Sequence, residues 1–159
     1  MAPPINTQNL TKDTVVESKG FSQPYGFFGC KGCTITVSGK CSAVMLEGCD
    51  NVTLKVDTIV SGLEIGNCKR VKVIVSPGAM VPSITIDKTD GCHLTLSDET
   101  QNNSDFLITA AKSSEMNVMV THEGESVEKA LPEQFIYRLD FSHASGPKVT
   151  SKVSDLYSS

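Results

Sequence analysis

The stretch GCKGCTITV at residues 29–37 decides the fold, because a similar nine-residue pattern returns four more times along the chain. The later copies are GCDNVTLKV at 48–56, NCKRVKVIV at 67–75, KTDGCHLTL at 88–96 and KSSEMNVMV at 112–120. Their starting positions 29, 48, 67, 88 and 112 differ by 19, 19, 21 and 24 residues. A unit of about 20 residues cannot bury its own apolar face, so this repetition predicts a stacked solenoid.

Within each copy the last five residues alternate between apolar and mostly polar side chains. In the first copy the apolar set is Cys33, Ile35 and Val37, and the polar set is Thr34 and Thr36. This period of two predicts a strand with one face in a core and the other in water. A second alternating stretch precedes each of the last four copies, with inward pairs Val44/Leu46, Leu63/Ile65, Ile84/Ile86 and Ile108/Ala110. Short strands separated by Gly, Pro, Asn and Asp predict an all-β fold, a parallel β-helix.

We predict one domain in three parts: a polar lead-in at 1–22, β-helix coils at 23–131, and a C-terminal hairpin and tail at 132–159. The repeat ends at Pro132, after which FIYRLDF at 135–141 and KVTSKVSDL at 148–156 predict two strands. An insertion at 98–105 accounts for the longest offset. The acidic stretch THEGESVEKA at 121–130 predicts a solvated connection to the hairpin.

Composition argues against several function classes. A net charge of −4, a pI near 5.3 and the absence of Trp give no case for nucleic-acid binding. We find no apolar run that predicts membrane insertion and no signal peptide at 1–10, so we expect a cytoplasmic protein. The sequence contains no paired carboxylates, no Ser-His-Asp set and no phosphate-binding loop. It therefore predicts neither catalytic residues nor a cofactor. An enzyme acting on polysaccharide remains a distant alternative.

Six cysteines, two of them spaced as CxxC at Cys30 and Cys33, raise the possibility of a zinc or redox site. The repeat register favours another interpretation. Cys33 and Cys92 fall on inward strand positions, whereas Cys30, Cys49 and Cys68 share one position in three successive copies. We therefore predict structural packing and a cysteine ladder at a corner of the coil, with no bound metal; zinc and redox chemistry are the minor alternatives.

Several runs resemble the C-terminal domain of cyclase-associated protein: IDKTDGCH at 86–93, AKSSEMNV at 111–118, LPEQF at 131–135 and NCKRVKV at 67–73. The resemblance extends over residues 28–156. It implies a right-handed parallel β-helix that binds monomeric actin, prefers ADP-actin, and promotes nucleotide exchange or sequesters monomers. It also implies a cytoplasmic, cytoskeleton-associated homodimer that exchanges its C-terminal hairpin. The alternative is a hairpin that folds back as a cap on its own last coil.

Side chains that point outward between the inward residues of each copy recur from copy to copy and form columns across the sheet. These outward columns and the resemblance together predict two sets of contact residues. We expect actin contacts on the last three coils, their adjoining corner and the tail: Lys72, Lys88, Thr89, Asp90, His93, Thr95, Glu115, Asn117, Met119, Lys152, Val153, Ser154, Asp155 and Leu156. We expect dimer contacts at Phe135, Ile136, Tyr137, Leu139, Phe141, Val149 and Val153. Simpler roles remain open: Lys72 as a guard against sheet aggregation, Asp90 as a turn former, and His93 as an ordinary exposed histidine.

A second hypothesis is a regulator of a small GTPase or of the tubulin pathway, since tubulin-binding cofactor C shares the β-helix. That function depends on an arginine that stimulates GTP hydrolysis. The arginines available here are Arg70, at a predicted coil corner, and Arg138, in the predicted hairpin. Neither position predicts an arginine poised to enter a nucleotide site.

Overall fold

The computed structural model describes residues 2–155, which form a parallel β-helix and a C-terminal antiparallel hairpin. In chain order the elements are β1 (Ile5–Gln8), β2 (Thr14–Glu17), β3 (Pro24–Phe28), β4 (Lys31–Ser38), β5 (Cys41–Glu47), β6 (Asp50–Val56), β7 (Ile59–Gly66), β8 (Lys69–Val75), β9 (Ser83–Asp87), β10 (Asp90–Thr95), α1 (Asp98–Gln101), β11 (Leu107–Ala111), β12 (Ser114–His122), β13 (Glu125–Ala130), β14 (Phe135–Asp140) and β15 (Lys148–Val153). Within this described part no helix has the length and apolarity needed to cross a membrane.

Two parallel sheets face each other across the core. The first sheet has the order β1-β3-β5-β7-β9-β11, and the second has β2-β4-β6-β8-β10-β12 with β13 antiparallel at its edge. Each coil contributes one strand to each sheet. Because the chain advances by one coil per repeat, equivalent positions lie beside each other: Leu54 pairs with Ile35 on one side and Val73 on the other. The predicted β-helix is confirmed.

The core consists of the inward residues of both sheets. Ile35, Leu54, Val73 and Leu94 from the second sheet are completely buried. So are the predicted inward pairs of β5, β7 and β9 from the first sheet. The prediction for β11 was wrong in part, because Ile108 is only half-buried and Ala110 is exposed. The last coil has no further coil above it within the described residues, so its inward side chains are incompletely covered.

Left-handed backbone conformations at the coil corners explain why each copy begins as it does. The first residue of every copy has a positive φ, from +66° at Gly29 and +65° at Gly48 to +50° at Lys88 and +51° at Lys112. The fourth residue behaves in the same way, with the φ of Arg70 at +53°. Gly and Asn adopt this conformation readily, whereas Lys and Arg pay a steric penalty.

A hydrogen-bonded ladder occupies the second position of the copies. The Cys49 N–H donates to Cys68 Sγ at 3.4 Å, the Cys68 N–H to Thr89 Oγ1 at 3.3 Å, and the Thr89 N–H to Ser113 Oγ at 3.1 Å. The Thr89 hydroxyl in turn donates to the Asp87 carbonyl at 3.1 Å. This position therefore favours small side chains whose sulfur or oxygen atom accepts a hydrogen bond from a backbone N–H of the preceding coil. The same atom can donate a hydrogen bond to a carbonyl of its own coil. The predicted inward cysteines Cys33 and Cys92 are buried, as expected.

Two segments differ from their predicted roles. The lead-in at 1–22 contains β1 and β2, which pair with β3 and β4 and form an additional first coil. These four-residue strands bring too few apolar side chains to show the repeat. The stretch at 121–130 contains β13, which turns back through Glu123 and Gly124 and pairs with β12 from Asn117 to His122. It covers the edge of the second sheet instead of forming a solvated link.

The insertion at 98–105 contains α1, a single helical turn. Ser97 caps this turn by accepting a hydrogen bond from the Thr100 N–H at 3.1 Å. The buried Thr100 hydroxyl accepts from the Val81 N–H at 3.1 Å, which ties the insertion to the preceding coil. The insertion thus lengthens one corner without interrupting the stack.

Candidate functional site

Three neighbouring strands of the second sheet bring the predicted surface residues together. His93 on β10 lies beside Lys72 on β8 and Asn117 on β12. In the adjacent outward column Thr95 lies between Ile74 and Met119. Together these six residues form what we term the sheet face: Lys72, Ile74, His93, Thr95, Asn117 and Met119. The pairing confirms that equivalent positions of successive copies lie side by side, as the predicted stack of coils requires.

The edge strand β13 adds a carboxylate that sequence analysis did not assign to the sheet face. Glu128 pairs with Met119 in the backbone register, and its Oε1 lies 3.3 Å from His93 Nδ1. The two side chains are 51% and 29% exposed, so the pair remains open to solvent. His93 is therefore held by an acidic neighbour, a contact that depended on recognising β13 as a strand.

The corner beside the sheet face carries long charged side chains on strained backbone. Lys88 and Glu115 have φ values of +50° and +52°, and both are exposed. Asp90 is also exposed, and its Oδ1 accepts a hydrogen bond from Ser114 Oγ at 2.8 Å. We refer to Lys88, Asp90 and Glu115 as the corner cluster. Its members all lie on the last two coils, next to the sheet face.

A shallow depression of about 340 Å³ extends from Glu115 of the corner cluster onto the sheet face. Its lining includes Thr53, Arg70, Lys72, His93, Glu115 and Asn117. Arg70 was not predicted to belong to this surface. Its guanidinium pairs with Asp50 one coil earlier, with Nε 3.0 Å and Nη2 2.5 Å from Oδ1. The resulting surface is a mixture of cations, anions and amides, which suits the polar part of a protein interface.

Two of the predicted contact residues are inaccessible. Thr89 is 1% exposed because it belongs to the corner ladder, so the prediction that it contacts a partner was wrong. Ser154 is 8% exposed, and its N–H donates to the Gln134 carbonyl at 2.9 Å, which places it inside the base of the hairpin. Lys152 and Asp155 are exposed and Val153 is half-buried. Leu156 lies outside the described residues.

The six cysteines are free and buried. Burial raises the pKa of the Cys92 thiol to about 12 and that of Cys41 to about 11. The hydrogen bond with Cys68, together with burial, raises the pKa of Cys49. Among residues 2–155 no group of three or more His, Cys, Asp and Glu side chains is arranged to hold a metal ion. All six thiols lie in the core, and those of Cys49 and Cys68 also donate hydrogen bonds to backbone carbonyls.

The hairpin β14–β15 has one apolar face and one polar face. Residues paired across an antiparallel ladder share a face, so Phe135/Val153, Tyr137/Ser151 and Leu139/Val149 form the apolar side. Tyr137 and Leu139 are each 67% exposed and Val149 is 66% exposed. Ile136 pairs with Lys152 on the opposite face, apart from the other predicted dimer residues. Phe141, beyond the end of β14, is 72% exposed.

The end of the last coil presents a cavity of about 620 Å³ with a mixed lining. Apolar residues, among them Ile108, Met116, Leu131 and Phe135, line it together with the polar residues Lys112, Ser113, Ser114 and Glu133. Of the apolar hairpin residues, Phe135 alone is part of this lining, and Tyr137, Leu139 and Val149 remain exposed. The described hairpin thus does not fold back as a full cap on its own coil.

Comparison with known proteins identifies the family. The family described as "Adenylate cyclase associated (CAP) C terminal" matches residues 4–156. Adenylyl cyclase-associated protein 1 of Bos taurus is 38% identical over 132 residues, which cover 82% of this chain and 27% of that protein. The Dictyostelium discoideum adenylyl cyclase-associated protein is 34% identical over 134 residues, covering 82% and 28% respectively.

A solved structure agrees with this result. The crystal structure of cyclase-associated protein from Cryptosporidium parvum superposes with a TM-score of 0.78 at 26% identity, covering 92% of this chain and 86% of that chain. The chain spans between a quarter and a third of the length of the curated relatives that it matches. The match to the family along nearly the whole chain and the agreement in fold establish that it belongs to the C-terminal domain family of the adenylyl cyclase-associated proteins.

Proposed function

We propose that this domain binds monomeric actin, prefers the ADP-bound monomer, and regulates actin turnover by promoting nucleotide exchange or by sequestering monomers. The observation that carries the proposal is the juxtaposition of Lys72, His93, Asn117 and Met119 on three adjacent strands in a chain of this family. Binding a more open actin state more tightly than a closed one shifts the equilibrium toward release of the nucleotide. No bond chemistry by the domain is required. The site of action is the cytoplasm, in association with the actin cytoskeleton.

The sheet face fits a protein partner for physical reasons. Met119 and Ile74 are half-buried apolar residues in an outward column, and they are surrounded by polar side chains. An apolar centre with a polar rim is the usual composition of an interface between proteins. Neighbouring strands lie about 4.8 Å apart and are fixed by the coil, so these side chains are already in position before the partner arrives.

The test is the release of a fluorescent nucleotide from ADP-actin monomers as the protein is added. We expect faster release that saturates near one protomer per actin. Slower release accompanied by binding would identify a sequestering protein, whereas the absence of both binding and any effect on release would overturn the proposal. Lys72→Glu should weaken binding about fivefold or more through charge repulsion. The exposed Lys40, in the turn between β4 and β5, provides the matched control, and Lys40→Glu should bind as the wild type does.

We propose in addition that the domain acts as a homodimer that exchanges its hairpin. The hairpin exposes the apolar side chains Tyr137, Leu139 and Val149, and the end of the last coil leaves the apolar part of its cavity uncovered in the single chain. A group of exposed apolar side chains is typical of an interaction surface, and a lone hairpin is marginally stable in water. Exchange between two protomers would cover both surfaces.

Sedimentation measurements over a range of protein concentrations test the dimer. Leu139→Asp introduces a charge on the apolar face and should convert the dimer to a monomer. Arg138→Asp, on the opposite face of the same strand, is the control and should leave the dimer intact. A wild-type protein that sediments as a monomer at all concentrations would overturn this part of the proposal without affecting actin binding.

A role like that of tubulin-binding cofactor C receives no support from the arginines. Arg70 is engaged with Asp50 at the corner of the coil, and Arg138 lies on the hairpin opposite Thr150. An arginine that enters a nucleotide site must be free to leave its own surface. We therefore retain actin regulation as the single proposed function.

A further inference from the structure

We propose that the outer face of the first sheet, on the opposite side of the core from the sheet face, docks a short extended protein segment that carries lysine or arginine beside apolar side chains. The observation is a groove of about 380 Å³ that crosses strands β1, β3, β5, β7 and β9. It has no part in the actin proposal. We refer to it as the first-sheet groove.

Small side chains form the floor of the first-sheet groove. Ala43 on β5 pairs with Gly62 on β7, and Gly26 lies on the neighbouring strand β3. At Gly62 the φ is +152°, and an added Cβ would collide with Ser83 Oγ and lie 2.9 Å from the Ser83 carbonyl oxygen. A side chain at this position would both strain the backbone and fill the groove. Glycine at this position therefore leaves the floor of the first-sheet groove unfilled.

Apolar side chains form one wall. Met45, in the column next to Ala43, is 36% exposed, and Phe28 on β3 is half-buried. An apolar side chain of the partner could remove both from water, and each such contact contributes roughly 25 cal/mol for every Å² of apolar surface buried. The apolar wall therefore contributes to the affinity for the segment, whereas the acidic side chains of the first sheet determine which segments bind.

The charge of the first sheet is entirely negative. Its six strands contain Glu47, Glu64 and Asp87 and no Lys, Arg or His. Glu64 lines the groove and is exposed, and Glu47 and Asp87 project from the adjacent outward column. None of the three forms a salt bridge with a cation within residues 2–155. Glu47 is held instead by the neutral amide of Asn67, whose Nδ2 donates at 2.6 Å.

Geometry favours an extended segment. The groove crosses five strands, so four steps of about 4.8 Å make it roughly 19 Å long, or about six extended residues. Because the strands beneath already form backbone hydrogen bonds with each other, recognition must come from side chains. Successive side chains of an extended segment point to opposite faces, so only every second residue faces the groove, at intervals of about 7 Å. The basic residue that meets Glu64 and the apolar residue that meets Met45 must therefore both lie among these alternate positions.

The probe is an acetylated, amidated hexapeptide with lysine, valine and lysine at its first, third and fifth positions and serine at the others, so that lysine and valine share one face of the extended chain. It is titrated into the isotopically labelled full chain and followed by amide chemical shifts. We expect the shifts to concentrate at Gly26, Ala43, Gly62 and Glu64, and to weaken as salt is raised. Glu64→Lys should weaken the affinity about fivefold or more. Glu17→Lys, the same change at an exposed position of the second sheet, should leave it unchanged.

The proposal is overturned by any of three results: equal affinity for the matching peptide with glutamate in place of lysine, shifts centred on the second sheet, or unchanged affinity in Glu64→Lys. Shifts at the groove that depend on protein concentration without peptide would show that a second copy of the chain is the occupant, which also overturns it. Because the groove lies on the opposite sheet, Glu64→Lys should accelerate nucleotide release from actin as the wild type does. Failure of the actin proposal and failure of this one can therefore be told apart.

Discussion

The strained backbone at Lys88 of the corner cluster allows a test of whether this lysine serves the fold or contacts a partner. Lys88 occupies the first position of its copy with a φ of +50°, where the first two copies have Gly29 and Gly48. The left-handed conformation costs an L-residue about 1–2 kcal/mol. Glycine removes that cost but loses about 0.5–1 kcal/mol through the greater entropy of the unfolded chain. Lys88→Gly should therefore stabilise the fold by about 0.5–1 kcal/mol, provided that the lysine side chain has no packing role.

The same corner provides the reciprocal variant. At Gly48 an added Cβ would meet no atom closer than the Gly29 nitrogen at 4.0 Å, so Gly48→Lys introduces only the conformational cost. It should destabilise the protein by a similar amount, about 0.5–1 kcal/mol. The Lys88 N–H bond to the Ala111 carbonyl, at 3.1 Å, does not depend on the side chain and is preserved in glycine.

Equilibrium unfolding in urea, at one fixed protein concentration, measures both variants, and the actin assay is then repeated with each. If Lys88 is retained for contact with a partner, Lys88→Gly will be more stable and will bind actin less tightly, whereas Gly48→Lys will be less stable and bind normally. A destabilised Lys88→Gly would show that the side chain serves the fold. A stabilised variant with undiminished actin binding would refute the assignment of Lys88 to the interface.

Three further predictions concern the core and the groove. Thr89→Val leaves the Cys68 N–H without its acceptor and should cost about 1–3 kcal/mol in urea unfolding, whereas Thr89→Ser, which keeps the hydroxyl, should cost less than 1 kcal/mol. Burial raises the pKa of the Cys92 thiol from 9.0 to about 12, so its contribution to stability is present below pH 9 and is lost as the pH rises from about 9 to 12. At pH 10 the loss attributable to this thiol should be about 1 kcal/mol, and Cys92→Ala should show a correspondingly shallower decline of unfolding free energy between pH 8 and 10. Gly62→Ala should destabilise by about 1–3 kcal/mol through its clash with Ser83, which a circular dichroism melt would show as a lower Tm.

The coils could be predicted from sequence because the β-helix repeats its own packing. An inward side chain such as Leu54 is covered by equivalent residues of the coils on both sides. The same alternation of apolar and polar residues therefore recurs in several copies, and each copy supports the interpretation of the others. The first coil escaped detection because β1 and β2 supply only Ile5 and Val16 as clearly apolar inward side chains. Strand β13 escaped detection because its acidic sequence forms a strand only through pairing with the edge of β12.

The site was less predictable because exposure at a corner does not follow from periodicity. Thr89 was predicted on the surface beside Lys88 and Asp90, but its position in the copy is that of Cys49 and Cys68, and register places it inside. That signal was available in the sequence: the recurrence that identified the cysteine ladder extends through Thr89. The pairing of His93 with Glu128 was not available in this way, since it required the path of β13 after the repeat ends.

The charge difference between the two sheets also bears on how one β-helix can serve more than one partner. Inward residues such as Leu46 and Leu54 are constrained by coils on both sides, whereas outward residues such as Glu64 and Lys72 are not. Either outer surface can therefore change its charge without repacking the core. The strands of the first sheet carry three acidic residues and no Lys, Arg or His, whereas those of the second sheet carry charges of both signs. The first-sheet groove therefore offers Glu64 to a basic ligand, and the sheet face offers Lys72 to an acidic one. Because the charges differ, a search for ligands of the groove can be separated from the actin experiments by the charge of the probe.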